Sequence, residues 1–460
     1  MTRNAFRGLL KIDKSYWLLV VPILYATVPW FQYRMRGIIP FGFSMLWLLP
    51  KLSNIIAKLS VREGRAFIMA LFWFFALMFM PEFFAIIGSQ EHMAYYQVAT
   101  IGMQMVSFVI AYYTVANRKF FELRFLTVVT LAGFILGGIS SLRGLGIEGM
   151  ESGRTMTGLQ NAGYGISTEA IDNALTVIEI GLGGYAYAYN CAWMVGVILF
   201  AIVITKGTQQ RILYAATLIG CFLSVKVCGL GTPVAIVALE LLLFMLWFAT
   251  RSRKLVGVLT GGVILLYFVY ATMPTVFSPL SGVLDSIAEN MSPGGIKERI
   301  VSVSQAFRGD ASYANIRVQL QMKSWMTFLK HPIFGTFGPF VGGRQLDLGG
   351  HSYVLDMAGG YGLFGIFVFT MFIWSLLRYF RVLGQLYFGS RYLAMPVFFM
   401  GTFVISGLMN PVTFFANIVY LIPGIAWLSL SPQEEAALYW RTGLTRWHPG
   451  PYHPGPYRYG

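Results

Sequence analysis

Charged residues are few in this chain: Asp, Glu, Lys and Arg make up 12% of its 460 residues, against about 25% in a soluble domain. With 56% apolar and 16% aromatic content, that shortage excludes an ordinary water-soluble globule. Cysteine is scarce too. Cys191, Cys221 and Cys228 all lie in apolar stretches, without a CxxC pair or a His/Cys metal spacing. Neither a disulfide nor a metal site is expected from them. In the polar interval from Met273 to about Tyr361 no close acidic pair occurs: Asp285, Glu289, Glu298, Asp310, Asp347 and Asp356 stand apart, so no Asp-x-Asp is available there to hold a divalent cation. Glycine is abundant, but never in a nucleotide-binding pattern. The stretches 133–149 and 181–184 read as helix packing or loops.

What is present is a succession of apolar runs of about 20 residues, the polytopic membrane signal. The expected fold is an all-α polytopic membrane protein of about twelve transmembrane helices. The spans are placed at 16–31, 38–57, 66–88, 94–116, 124–142, 183–205, 212–229, 232–250, 255–273, 361–378, 391–408 and 412–430. The second is the weakest, since it carries Pro40, Pro50 and Lys51. Basic Arg3, Arg7, Lys11 and Lys14 precede a first run with no small-residue cleavage site, so it reads as a signal anchor.

The net charge of +15 does not point to nucleic acid. Most basic residues sit in short loops on alternate sides of the spans, among them Lys51, Lys58, Arg62, Arg65, Arg118, Lys119, Lys206, Arg211, Arg378 and Arg381. That is the positive-inside pattern, which places both termini in the cytoplasm. Four regions follow. Residues 1–272 hold nine spans and an outer loop at about 143–173. Residues 273–360 form one large extracytoplasmic loop between helices 9 and 10, residues 361–430 the last three spans, and 431–460 a cytoplasmic tail. The tail repeats His448-Pro449-Gly450-Pro451-Tyr452 as His453-Pro454-Gly455-Pro456-Tyr457, a composition that favours disorder.

The polar chemistry gathers on the outer side. His351 follows Gly349-Gly350 and opens an apolar run; glycine permits close backbone approach, and histidine suits proton transfer near neutral pH. An interfacial His bonded to a loop carbonyl is the structural alternative. His331, before Pro332, reads as a helix end. Arg154 and Arg317 are candidate phosphate ligands, because guanidinium groups grip phosphate oxygens in pairs; salt bridges or lipid headgroups are their structural alternative. Arg143, Arg344, Lys226 and Lys323 are further candidates for binding an anionic substrate, and Trp325, Tyr353 and Tyr361 for stacking on sugars or belting the membrane. Acids in spans are costly, so Glu82 and Glu179 are candidate bases facing the outer side. Glu240, mid-span, reads as paired within the bundle.

Taken in order, Arg317, Trp325, His331-Pro332-Ile333-Phe334-Gly335, His351-Ser352-Tyr353-Val354-Leu355 and Gly362-Leu363-Phe364-Gly365 resemble the O-antigen ligase and polymerase superfamily. The span count and the large loop resemble it as well. The His-Ser form, between Gly349-Gly350 and Tyr361-Gly362-Leu363-Phe364-Gly365, is more similar to Wzy-type capsule and O-antigen polymerases than to WaaL-type ligases, where His-Asn is commoner. Arg154-Thr155-Met156-Thr157-Gly158 resembles the family's earlier outer-loop Arg-x-x-x-Gly segment, and Arg154 to Gly165 fits an Arg-x10-Gly spacing. One departure stands out. The family often has Ser-Arg at the outer turn between spans seven and eight, where this chain has Gly231-Thr232-Pro233, with Lys226 as the neighbouring cation.

The resemblance implies a GT-C-like, metal-independent, inverting glycosyltransferase without cofactor, in a bacterial inner membrane. Its substrate would be an undecaprenyl-diphosphate-linked oligosaccharide, joined into lipopolysaccharide O-antigen, capsule or exopolysaccharide. A membrane protein that regulates chain length is an expected partner. Arg154 and Arg317 would stabilise the leaving diphosphate, while His351 would orient or deprotonate the acceptor hydroxyl, or contact the departing phosphate. The nearest rival is an O-antigen ligase passing the same donor to lipid A core. A lipid-linked oligosaccharide transporter is the rival of another class, but no inverted repeat is visible. A non-catalytic assembly subunit is a further alternative.

Overall fold

The structure is a computed structural model that describes residues 12–88, 95–147, 151–153, 155–156, 168–250, 253–272, 274–290, 295–308, 316–336, 348–412, 414–431, 433–435 and 438. Lipid offers no hydrogen-bond partners, so an apolar run must satisfy its own backbone, and a helix does that within one segment. Among the described residues every regular element is helical.

A 3₁₀ turn at Lys14–Leu19 leads into α1 (Val20–Thr27) and α2 (Pro29–Arg34), the second begun by proline with its preset φ. Next, α3 (Ile38–Leu48) and α4 (Leu52–Ala57) are halves of one apolar helix joined by a 3₁₀ turn at Pro50. Then come α5 (Arg62–Gly88), α6 (Tyr95–Ala116), α7 (Phe120–Leu145) and the amphipathic α8 (Thr168–Ile180). Four long helices follow: α9 (Tyr185–Ile204), α10 (Thr208–Cys228), α11 (Gly231–Thr250) and α12 (Arg253–Thr272). In the long polar interval lie α13 (Ser281–Glu289), α14 (Gly295–Phe307) and α15 (Ile316–Lys330). The chain returns through α16 (Tyr353–Leu383), α17 (Ala394–Met409) and α18 (Ile418–Leu428).

Among the described residues seven helices are long and apolar enough to cross a membrane, or eight if the bent pair Gly257–Thr272 with Thr275–Glu289 is one span. Three shorter apolar helices, Thr100–Ala116, Ala394–Met409 and Ile418–Leu428, lie among them. Phe72, Leu136, Ile212, Leu242, Met245 and Leu265 are exposed on the outside of the bundle. Such a surface belongs in lipid rather than water. The protein is therefore an all-α, multi-pass membrane protein. The tenth expected span is part of a longer helix, which starts at Tyr353 rather than 361. Ser352 sets that start, its hydroxyl accepting the Leu355 amide at 3.1 Å as an N-cap.

Small residues let the helices close on each other. Across the α7–α10 interface a Cβ on Gly220 would stand 2.7 Å from the Phe134 carbonyl oxygen, and Ser141 and Ser224 hydroxyls meet at 3.1 Å. The glycine-rich stretch of α7 is thus a packing surface. At the centre, α9 is buried on all sides. Trp193 donates to Ser406 at 2.9 Å, and Glu240 accepts the Gly196 amide at 2.7 Å.

Polar contacts join segments of the same expected side. At one end Lys119 pairs with Asp13 at 3.0 Å, Lys51 donates to Ser15, Lys58 to Asn117 and Arg62 to Gln385, while Lys206 pairs with Glu434. At the other, Tyr33 donates to the Leu182 carbonyl, Ser152 to that of Gly183 and Asn410 to Thr232.

Two outcomes are expected. Gly220→Leu overfills the α7–α10 crossing and should lower the free energy of unfolding by about 1–3 kcal/mol, read as a drop in the melting temperature of the detergent-solubilised protein. At Asp13, burial raises the carboxyl, but the Ser15 amide and hydroxyl and the Lys119 ammonium outweigh it and bring it from 3.8 to about 2. A carboxyl with a depressed folded pKa stabilises above its unfolded value and loses that contribution as pH falls through the folded one. Asp13→Asn should therefore cost a little stability at neutral pH, under about 1 kcal/mol for so exposed a pair. It should also remove the stability loss that the native protein shows between about pH 4 and about pH 2.

Candidate functional site

The Gly349-Gly350-His351-Ser352 turn lies between α15 and α16, and a buried carboxylate holds it there. Asp356, 5% exposed in the first turn of α16, accepts from the Ser324 hydroxyl of α15 and from the amides of Gly350 at 3.2 Å and Ser352 at 3.1 Å. Ser324 in turn accepts the Gly349 amide at 2.8 Å. A charge out of water needs such donors, and here they come from the residues flanking His351. Glycine is required at both preceding positions. The Cβ position of Gly349 is taken by the Leu320 backbone, and Gly350 has φ +70°.

Beyond the turn, Ser352 donates to the Gly407 carbonyl at 3.2 Å and the Tyr353 amide to that of Asn410 at 3.2 Å. Asn410 also donates to Thr232 at 2.8 Å. Half-buried His351 therefore sits where α15, α16, the end of α17 and the start of α11 converge.

The His-Pro-Ile-Phe-Gly turn does something else. Within α16, Gly362 has φ +63° and ψ −152° and breaks the helix. The break frees backbone groups, and the turn takes them up. Leu363 N–H donates to the Pro332 carbonyl at 2.7 Å and Phe364 N–H to that of Ile333 at 3.2 Å, while Thr336 N–H donates to the Gly359 carbonyl at 3.2 Å. The turn is a pin in the broken helix. His331 is exposed just after α15, its own amide closing that helix on the Thr327 carbonyl at 3.0 Å.

Arg317 lies in the first turn of α15, three residues before the Leu320 backbone against which Gly349 packs. The side chains of Arg317 and Glu82 lie outside the described residues, as do Arg154 and Arg344. The neighbours of Arg154 are placed: Ser152 donates to the Gly183 carbonyl at 2.7 Å, and Gly153 packs on Cys228 at the turn between α10 and α11. Thr232 of that turn region bonds Asn410, which links the segment around Arg154 to the His351 turn.

Lys226 is exposed in the last turn of α10, Arg143 in that of α7, and Lys323 on α15. Glu179 is exposed near the end of α8. Trp325 packs edge-on against Phe268 of α12, with ring centroids 5.2 Å apart. Tyr353 and Tyr361 are buried, Tyr353 against Phe369. Among the described residues no group of three His, Cys, Asp or Glu side chains converges as metal ligands do.

Sequence reasoning missed Ser324, Asp356 and Asn410. One signal was present: an acid four residues after an N-capping serine sits one helical turn along the same face. Also unforeseen is a cavity of ≈170 Å³ beside the 414–417 segment, lined by Gln104, Ser107, Asn190, Asn417 and Tyr420 with no charged side chain. Ser107 donates to Asn417 Oδ1 at 2.7 Å, while the buried Asn417 Nδ2 has no partner. No protein-family model matches the chain, and no curated protein matches it.

The pin makes a prediction. The conformation of Gly362 is open essentially to glycine alone, and a Cβ there would stand 2.6 Å from the Phe334 amide nitrogen. Gly362→Ala should cost at least about 1–3 kcal/mol in thermal unfolding. Gly257→Ala, where nothing lies within 4 Å, should cost nothing.

Proposed function

We propose that the protein is a glycosyltransferase of the O-antigen ligase and polymerase type. As such it joins undecaprenyl-diphosphate-linked oligosaccharide repeat units at the outer leaflet of a bacterial inner membrane. The observation that carries this reading is the packing of the Gly349–Ser352 turn on α15, the helix whose first turn bears Arg317. The turn that bears His351 and the first turn of the helix that bears Arg317 thus belong to one end of the bundle, and the proposal assigns proton transfer to the first and phosphate binding to the second. The twelve-span arrangement, both termini in the cytoplasm and the 273–360 loop outside, belongs to the same proposal.

In this mechanism an acceptor hydroxyl attacks the anomeric carbon of the growing chain. The bond from that carbon to the diphosphate oxygen breaks, with inversion. His351 orients the hydroxyl or takes its proton. Arg154 and Arg317 neutralise the departing diphosphate, a task that falls to arginine in a sequence without a paired-acid motif. Asp356 touches no substrate; it fixes the turn that presents His351. The 170 Å³ cavity, walled largely by apolar side chains with Gln104, Ser107, Asn190 and Asn417 among them, offers uncharged hydrogen-bonding groups of the kind a neutral sugar takes. The break in α16 does not favour transport, because its freed amides are bonded to the chain's own Pro332 and Ile333 rather than left for a ligand.

The test is transfer by the purified protein in nanodiscs, given lipid-diphosphate repeat units with EDTA and no added metal. A ladder of product lengths is expected. His351→Ala should reduce its rate about 10²–10⁴-fold, and Arg317→Ala should abolish it. Transfer only when lipid A core is supplied makes the protein a ligase. Movement of the intact substrate across the bilayer without transfer makes it a transporter.

A further inference from the structure

A second site lies at the other end of α16 from His351. A groove of ≈500 Å³ opens there between the start of α5, the second half of α16 and the start of α17. Three arginines line it: Arg62 from α5, Arg378 and Arg381 from α16. No acidic side chain lines it, and among the described residues none of the three arginines pairs with a carboxylate. Glu63, beside Arg62 in sequence, accepts instead from the Tyr387 hydroxyl at 3.2 Å.

Three like charges gathered by packing repel one another unless an anion joins them. Their placement is fixed by uncharged partners. Arg62 donates to Gln385 at 2.7 Å, and the Arg378 guanidinium stands 5.3 Å from the centre of the Trp374 ring. The remaining wall is apolar, with Trp374 49% and Val397 44% exposed toward the lipid side of the bundle. A cationic mouth over an apolar wall matches an amphiphile with an anionic head.

We propose that this groove binds an anionic phospholipid. The headgroup phosphate is held by Arg62, Arg378 and Arg381, and an acyl chain lies along Trp374 and Val397. Guanidinium forks suit phosphate oxygens, and this pairing gains strength at a face partly screened from water. The general preference of basic loops for the cytoplasmic side explains a diffuse charge. It does not explain a groove in which arginines from two helices remote in the chain converge with no acidic partner among the described residues. The inference is independent of the glycosyltransferase reading.

The experiment is native mass spectrometry of the full-length protein, delipidated and then given equal phosphatidylglycerol and phosphatidylcholine. The protein should retain phosphatidylglycerol at least about tenfold over phosphatidylcholine, and Arg378→Gln with Arg381→Gln should remove most of that preference. Lys206→Gln, at the same end of the bundle but outside the groove, should leave it unchanged. Equal retention of the two lipids by the native protein overturns the site, whatever the variants do. So does a preference that survives the double substitution, or one that Lys206→Gln reduces as much. Inorganic phosphate is the soluble arm: displacement of the lipid at equimolar phosphate would make this a free-anion site instead. Should the double glutamine variant fail to fold, Arg378→Lys with Arg381→Lys keeps the charge and removes the fork. A weakened preference there supports the site, and an unchanged one overturns the bidentate grip.

Discussion

A backbone amide inside an apolar bundle has no water to turn to, and α16 is built around that constraint. Gly362 interrupts the helix where neighbouring side chains are apolar, so the freed groups need partners from within the protein. The His331–Gly335 turn and the Thr336 amide after it supply them with three backbone hydrogen bonds. The end of α15 is thereby fastened to α16, and the turn that carries His351 runs between these two fastened helices. Without the pin, the site would rest on the side-chain contacts of Ser324, Ser352 and Asp356 and on the Tyr353 amide bonded to the Asn410 carbonyl.

Asp356 works from the same base. Its carboxylate gathers the Ser324 hydroxyl and two loop amides, so the residues before and after His351 share one anchor. Burying a charge in this way costs much, and it is tolerated when donors are fixed in place beforehand. The cost falls on the turn that presents the histidine, and the donors that offset it hold that turn in one conformation.

The apolar runs were legible in the sequence because hydropathy is local, and a span of lipid demands an unbroken stretch of it. The expected segment 38–57 coincides with an apolar helix, its weakness at Pro50 marked by a 3₁₀ turn. Glycines 349 and 350 were legible as a close approach, and Glu240 as a residue held within the bundle. The start of α16 at Tyr353 was not, since an N-cap serine outweighed the polar character of its surroundings. The His-Pro-Ile-Phe-Gly motif was legible as a pattern but not as a pin, because its partners lie in another helix.

Sequence by itself therefore determined the class of the protein and the helical character of its apolar segments. Each of these depends on a residue and its near neighbours. Tertiary structure alone decided that Ser324 and Asp356 hold the His351 turn, that Pro332 fills the break at Gly362, and that Arg62 joins Arg378 and Arg381. Those pairings join residues remote in the chain, and they exist only because helices packed through small residues bring them within hydrogen-bonding or charge-sharing reach.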